Sequence, residues 1–320
     1  MVPSIRLERK LGRWPWSPEA TRERQPMHRG LGVYLVLYVI CFLPVTTFSE
    51  EKNPLWGRIH VHQVEKGDFL YKIGLLYNCS YPAISRANGL SNSNEVRLGA
   101  KLTMPTLMVL PVRANDETIV INIPEFRLYH FRSETDIRVY PICVGLTTWK
   151  TPTGPFEIAN KVGNPTWYMN KEMADKLHVK KEVIPPGPLN PLGDRWIGTS
   201  LKHIGIHSTN QPMSIGRPLS HGCVRLYPDG AKELFEAVSL KNKGKVVYEP
   251  IKLALWQGDI YLEVHEDIYE EVDDYKKEVM RLSRVLGLNQ DLLDRSALET
   301  ALAQKRGIPT VIGKVPEIRE

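Results

Sequence analysis

Cysteine is scarce in this sequence: four among 320 residues, Cys41, Cys79, Cys143 and Cys223. No two stand at the short spacing of a zinc or thioredoxin-type site, which excludes both. The nine histidines form no metal-ligand pattern, so neither a metal nor another cofactor is expected. Charge of one sign is also missing from most of the chain. The formal charge is +6, but residues 1–49 hold seven Lys/Arg against three Glu, a surplus of +4, which leaves +2 for residues 50–320. A nucleic-acid partner suggested by the basic pI therefore loses its ground, and none is expected. Apolar content of 42% and charged content of 24% are ordinary for globular protein, and the length allows two or three domains.

Leu31–Phe48 is apolar except for Thr46 and Thr47, behind His28 and Arg29. A basic flank, an apolar centre and small residues form the pattern of a secretory signal. The Arg/Pro/Trp-rich lead before Met27 does not fit it, so translation is expected to start at Met27, with cleavage before Glu50. The rival is an uncleaved anchor spanning residues 31–48, close to the roughly 20 residues a membrane helix needs. Either way the remaining chain is expected to be exported. With Cys41 in that segment, three cysteines remain. A Cys79–Cys143 disulfide stays open, and Cys223 is expected to be a free thiol.

Residues 60–105 read as a small module. His62–Val64 makes a short strand, Lys66-Gly67 a turn, and Asp68 caps a helix whose stripe is Leu70, Ile73, Leu76 and Tyr77. A second helix over Tyr81–Ala87 stops at Asn88-Gly89, and Leu98–Pro105 supplies a turn and returning strand. This βααβ order, with Val64, Gly67-Asp68, Leu70, Ile73, Ile84, Ala87-Asn88-Gly89, Leu98-Gly99, Leu102 and Met104-Pro105, resembles the LysM module. The resemblance implies binding of N-acetylglucosamine-containing glycan, here peptidoglycan. Cys79, between the two helices, is expected as a small buried residue.

Thr106–Pro111 reads as an apolar linker. Strands follow over 118–123, 127–131, 137–144, 156–161 and 204–207, separated by Pro/Gly/Asn turns, and a helix over 229–238 carries Leu234, Phe235 and Val238 on one face. The fold class is mostly β with a few helices. Within this region stands Ser220-His221-Gly222-Cys223-Val224-Arg225, its cysteine sixteen residues beyond His207. A cysteine among small and polar residues with histidines nearby is a candidate nucleophile with a base. An ordinary thiol is only a few per cent thiolate at neutral pH, so it needs that base.

Four stretches resemble, in order, the L,D-transpeptidase catalytic domain of the YkuD type. They are Thr151–Phe156, Asn164–Trp167, the Pro/Gly lid segment Pro185–Gly193, and Ile206-His207 leading to Ser220–Leu226. The resemblance implies a β-sandwich or barrel-like catalytic domain over 115–250. It implies Cys223 as nucleophile, His207 as base, His221, Gly222 and Cys223 as backbone donors to the oxyanion, and Ser208, by carbonyl or hydroxyl, as the group orienting His207. Where the family commonly has Gly-Thr after this histidine, the chain has Ser208-Thr209. Arg225 is expected to bind a substrate carboxylate or brace the loop, beside Ser220, and Trp167, Tyr168 and His203 to line the acceptor groove. The implied reaction cleaves a tetrapeptide stem through a Cys223 thioester and forms 3→3 cross-links. Water or a protein lysine resolving the same acyl-enzyme would give an L,D-carboxypeptidase or a protein-attaching enzyme. A non-catalytic wall-binding scaffold is the alternative of another class.

Residues 251–320 read as an extension without chemistry. A hairpin spans 246–255 and 259–265 around Gln257-Gly258, and helices over 267–286 and 292–305 precede a final strand over 308–312. His60, His62, His130, His178 and His265 are expected as surface or strand residues.

Overall fold

The computed structural model describes residues 54–91, 96–169, 171–178, 180 and 183–316. The secretory segment, the Met27 start and the 31–48 anchor fall outside the described residues. Among the described residues no helix is long and apolar enough to cross a membrane.

The N-terminal module comprises β1 (Leu55–Gly57), β2 (His60–Gln63), α1 (Leu70–Tyr77), α2 (Tyr81–Ala87), β3 (Lys101–Met104) and β4 (Leu107–Val109). β2 and β3 pair antiparallel, His60 opposite Met104, and Leu70, Ile73, Ile84, Leu102 and Met104 fill the core against them. Ser80 caps α2 by accepting the Ala83 N–H, a contact typical of helix starts. Asn88 does more than stop that helix. Its amide donates to the carbonyls of Ile84 and Thr103, and its oxygen accepts the Thr103 N–H at 2.7 Å, tying helix to strand.

Three expectations here are corrected. Phe69, not Asp68, stands at the N-cap of α1 and makes no side-chain cap. The Asp68 carboxylate turns back instead to the Glu65 N–H, His62 and Lys72; these contacts, the Glu65 hydrogen bond foremost, hold its pKa at about 2. Leu76 points outward, 71% exposed. The third inward position is Gly74, where a Cβ would lie 2.5 Å from the Cys79 carbonyl oxygen. The expected linker over 106–111 contains β4, which pairs antiparallel with β1.

The central region begins with β5 (Glu117–Asn122), β6 (Arg127–Phe131), β7 (Ile137–Gly145) and β8 (Gly154–Gly163). A short hairpin, β9 (Trp167–Tyr168) and β10 (Val183–Ile184), flanks α3 (Lys171–Leu177). β11 (Arg195–Thr199), β12 (Gly205–His207), β13 (Pro218–Ser220), β14 (Val224–Leu226), α4 (Pro228–Ala237) and β15 (Lys243–Val247) follow. Nine strands join in the order β13-β7-β14-β12-β11-β8-β15-β5-β6, and β6 pairs back onto β7, closing the sheet into a barrel. β12–β14, β13–β7 and β15–β5 are parallel pairs, the rest antiparallel. Alternating side chains of these strands, among them Ile119, Ile121, Leu128, Ile142, Phe156, Ile197 and Val224, fill the interior, and Leu234 of α4 packs against them.

In the C-terminal extension β16 (Ile251–Trp256) and β17 (Asp259–Val264) form a hairpin whose Gln257 and Gly258 both have φ > 0, as a two-residue type I′ turn requires. Val246 and Val247, expected in this hairpin, belong to β15 of the barrel. α5 (Tyr275–Val285) and α6 (Arg295–Gln304) cover the hairpin, and β18 (Thr310–Lys314) pairs with β17. α5 starts eight residues later than the pattern suggests, at an Asp274 cap. The carboxylate of Asp267 is already committed to the Glu271 and Val272 N–H groups and to the Tyr248 hydroxyl, and holds the chain outside a helix. The described cysteines Cys79, Cys143 and Cys223 are all free; Cys79 is buried, and burial raises its thiol to about 11.

Where module, barrel and extension meet lies a buried charge cluster. Lys252 Nζ stands 2.7 Å from Glu125 and 3.2 Å from Glu263, and donates to the Val109 carbonyl. Arg127 bridges the same carboxylates at 3.1 and 2.7 Å and donates to the Pro105 carbonyl. Glu263 accepts the Val109 N–H at 2.6 Å and the His265 ring at 2.8 Å. Burial alone would raise both carboxyls. Lys252 chiefly, with His265 and Arg127, outweighs it and holds both below the usual range. His265, expected at a surface or strand, is instead buried here. Glu125, Glu263 and His265 have ligand atoms within 4.8 Å of one another. Lys252 and Arg127 already supply the cations those carboxylates need.

Candidate active site

Side chains of β8, β11, β12 and β14 line a cleft of about 1250 Å³. β12 and β14 run parallel beside each other, with Ile206 opposite Val224 and His207 opposite Arg225. That register brings the two separate sequence stretches into one wall, and His207, His221, Gly222, Cys223 and Arg225 all line the cleft.

The His207 ring is buried. Its Nδ1 lies 2.5 Å from the Ser208 carbonyl oxygen, so in the neutral ring Nδ1 carries the proton and Nε2 the free lone pair. Trp196 stacks on it at 5.9 Å and 26°, with the indole N–H donated to Asn160. Gly205 permits this, because a Cβ there would lie 2.3 Å from the Trp196 ring. Burial, then the charge of Arg225, lowers the His207 pKa to about 4 against the carbonyls of Ser208 and Leu192.

Cys223 is half-buried, and its Sγ lies 3.4 Å from the His203 carbonyl oxygen. Burial raises its thiol pKa, opposed by the Gly205 N–H and by Arg225. The resting pair is thus a neutral thiol and a neutral imidazole. Gly222 has φ +102, a conformation open to glycine. Its N–H is engaged by Ser220 Oγ at 3.2 Å, and the same hydroxyl donates to the Cys223 carbonyl. His221 meets Trp149 edge-on at 4.7 Å; burial and Arg225 lower its pKa. Arg225 donates to Gln211 at 3.3 Å, and its buried Nε has no protein partner.

Residues 116–248 match the L,D-transpeptidase catalytic domain (YkuD), and residues 62–105 match the LysM domain. The chain is 34% identical to the probable L,D-transpeptidase YcfS of Escherichia coli (strain K12), over 69% of this chain and 72% of that protein. The chain belongs to the L,D-transpeptidase family.

Other members align as well. The probable L,D-transpeptidase ErfK/SrfK of Salmonella typhimurium is 30% identical over 70% of this chain and 79% of its own length. The putative L,D-transpeptidase YkuD of Bacillus subtilis is 30% identical over 57% and 94%. The family consists of acyltransferases, and a LysM domain beside such a domain associates the chain with peptidoglycan and the cell envelope.

In this L,D-transpeptidase the expected groove residues fall on the same cleft. Trp167 is half-buried and Tyr168 is 70% exposed on β9; His203, at φ +62, lines it too, offering the thiol its backbone carbonyl. The lid segment is held by Asn190, whose buried amide donates to the carbonyls of Pro165, Ile184 and Pro185 and whose oxygen accepts the Leu192 N–H. Gly193 then presses on Ser208, where a Cβ would come within 2.6 Å. Trp149, Trp196 and Asn190 escape a reading of the sequence. Their signals are the tryptophan two residues before Thr151-Pro152, the tryptophan second in β11, and the lone asparagine in the Pro/Gly run.

Proposed function

We propose that the chain is an exported peptidoglycan L,D-transpeptidase that forms 3→3 cross-links through a Cys223 thioester. The observation that carries this reading is the shared cleft of Cys223 and His207, with Nδ1 tied to the Ser208 carbonyl and Nε2 left as the base. His207 takes the thiol proton as Sγ attacks the carbonyl of the third stem residue. It returns that proton to the amine of the fourth, D-configured residue, which leaves. The side-chain amine of a second stem then displaces Sγ, and His207 takes the amine proton and restores the thiol. The Cys223 N–H is the donor assigned to the oxyanion, because Ser220 already holds that of Gly222.

The cleft chemistry supports a carboxylate-rich donor such as a stem peptide. Among the described residues its lining holds Lys150, Lys176, Lys202 and Arg225 and no aspartate or glutamate. Arg225 lines this cleft and also donates to Gln211, so the one guanidinium can brace the loop and bind a carboxylate. Export rests on residues 31–48, and protein recovered from the envelope should begin at Glu50 if the segment is a cleaved signal.

Full-length protein incubated with purified disaccharide-tetrapeptide and analysed by mass spectrometry should yield a dimer that has lost one D-residue. Tripeptide monomer alone would point to hydrolysis, the carboxypeptidase reading; unchanged tetrapeptide would overturn the assignment. The pH dependence gives a second check. A base with its pKa lowered to about 4 stays neutral through mild acid, so kcat/KM should hold down to about pH 5 and fall below it. The linked stability has the same sign. Between the usual histidine value and pH 4 the unfolded chain binds more protons at this residue than the native one. Stability from His207 is therefore complete above about pH 6.5 and is lost as pH falls toward 4, which acid titration of the melting temperature will read.

A further inference from the structure

The extension places one side chain directly behind the Cys223 wall. Tyr269, 5% exposed, donates its hydroxyl to the Gly145 carbonyl at 2.7 Å and accepts the Thr151 N–H at 3.2 Å. Thr151, 2% exposed, accepts the Gly145 N–H on Oγ1 at 2.9 Å and donates that hydroxyl to the Gly222 carbonyl at 2.9 Å. The tyrosine is itself fixed. Its ring stacks on Tyr248 at 5.5 Å, the Tyr248 hydroxyl accepts its N–H at 2.7 Å, and Lys150 donates to its carbonyl at 3.1 Å. Gly145 must be glycine for this to form, since a Cβ would lie 2.1 Å from the Trp149 carbonyl oxygen.

The Gly222 carbonyl and the Cys223 N–H belong to one peptide group. In a planar trans peptide they point in opposite directions. Gly222 at φ +102 has no Cβ to restrict the rotation of that plane. A hydrogen bond that pins the carbonyl toward the barrel therefore sets where the N–H points on the other side. We propose that Thr151 and Tyr269 are positioning residues that aim the Cys223 N–H at the oxyanion of the tetrahedral intermediate. The C-terminal extension thereby completes a catalytic device whose parts otherwise lie in the barrel. Thr151 grips the carbonyl, and Tyr269 holds Thr151 and Gly145 in register. The inference rests on the proposed Cys223 acyl-enzyme.

The test separates acyl transfer from simple thiol reactivity. Acylation passes through an oxyanion; alkylation of Cys223 by iodoacetamide displaces iodide at a saturated carbon and does not. Full-length Thr151→Val, Thr151→Ser and Tyr269→Phe are compared for kcat and KM on disaccharide-tetrapeptide, and for the alkylation rate of the Cys223 peptide read by mass spectrometry. Thr151→Val should lower kcat by about 30-fold and Tyr269→Phe by about 10-fold, less than the roughly 10²–10³ for deleting an oxyanion donor outright. KM and the alkylation rate should stay within about threefold, and Thr151→Ser, which keeps the hydroxyl, should restore kcat to near wild type. An unchanged kcat in both Thr151→Val and Tyr269→Phe, or a parallel fall of acylation and alkylation, would overturn the inference. If Thr151→Val does not fold, Tyr269→Phe carries the same comparison alone. Wild-type protein that keeps its activity after complete Cys223 alkylation would instead sink the nucleophile assignment beneath it.

Discussion

Cys223→Ala should abolish formation of the cross-linked dimer, with a loss of at least about 10⁴-fold in kcat. On the proposed mechanism no other group can carry the acyl chain. Cys79 and Cys143 are buried and lie outside the cleft. His207, with its Nδ1 committed to Ser208, is the proposed base and not a second nucleophile. The variant should fold, because the thiol's contacts, to the His203 carbonyl at 3.4 Å and to the Gly205 N–H, are weak sulfur hydrogen bonds. Thermal melting should therefore shift by a few degrees at most, and donor peptide should still bind. Intact-mass spectrometry supplies the check: wild type incubated with donor shows an acyl adduct, and Cys223→Ala shows neither adduct nor dimer. A variant that still forms dimer would remove Cys223 from the mechanism.

The largest stability effect should come from a residue far from the cleft. Lys252→Met keeps the length of the side chain and removes the ammonium shared by Glu125 and Glu263. Removing one partner of a buried ion network costs about 3–5 kcal/mol, because the carboxylates keep their desolvation and lose their counter-charge. For a fold of this size that is a drop of about 10 °C in melting temperature. The loss should depend on pH in a definite direction. Without Lys252 a buried carboxyl has its pKa raised above the unfolded value, so the native variant takes up a proton that the unfolded chain releases. The destabilisation is then full at high pH and shrinks as pH falls. Adding Glu125→Gln, which removes the stranded negative charge, should recover part of the loss. Differential scanning calorimetry of the three proteins reads all of this, and a single variant melting with wild type would show that the cluster contributes little.

The module and the outline of the barrel were legible because periodicity and turn residues speak locally. The stripe Leu70–Ile73, the Asn88-Gly89 stop and the alternation of Ile119, Ile121 and Ile123 need no distant partner to be read. The candidate site stood out for another reason: Cys223 and His207 are residue types with few other uses in such a setting, and the structure places both on one cleft. What was missed depends on tertiary context. Asp267 looks like the start of a helix until the Tyr248 hydroxyl claims its carboxylate. Lys252, Glu263 and His265 look like the polar face of a hairpin, since alternation cannot tell a solvated charge from one neutralised by a strand of another unit. Tyr269 sits in an irregular stretch with no period at all, and its contact with Thr151 spans 118 residues.

That cluster also bears on the order in which the chain can become native. The Val109 N–H meets the carboxylate of Glu263 across 154 residues. Closing so long a loop is slow, and its entropy must be met before the contact gives anything back. During synthesis Glu125 emerges well before Lys252, the cation that neutralises it in the native cluster. The barrel strands matched by residues 116–248 are thus a unit of ancestry, while the unit that folds extends at least to His265. The buried cluster is therefore complete only once the chain is present through His265, well beyond the last strand of the barrel.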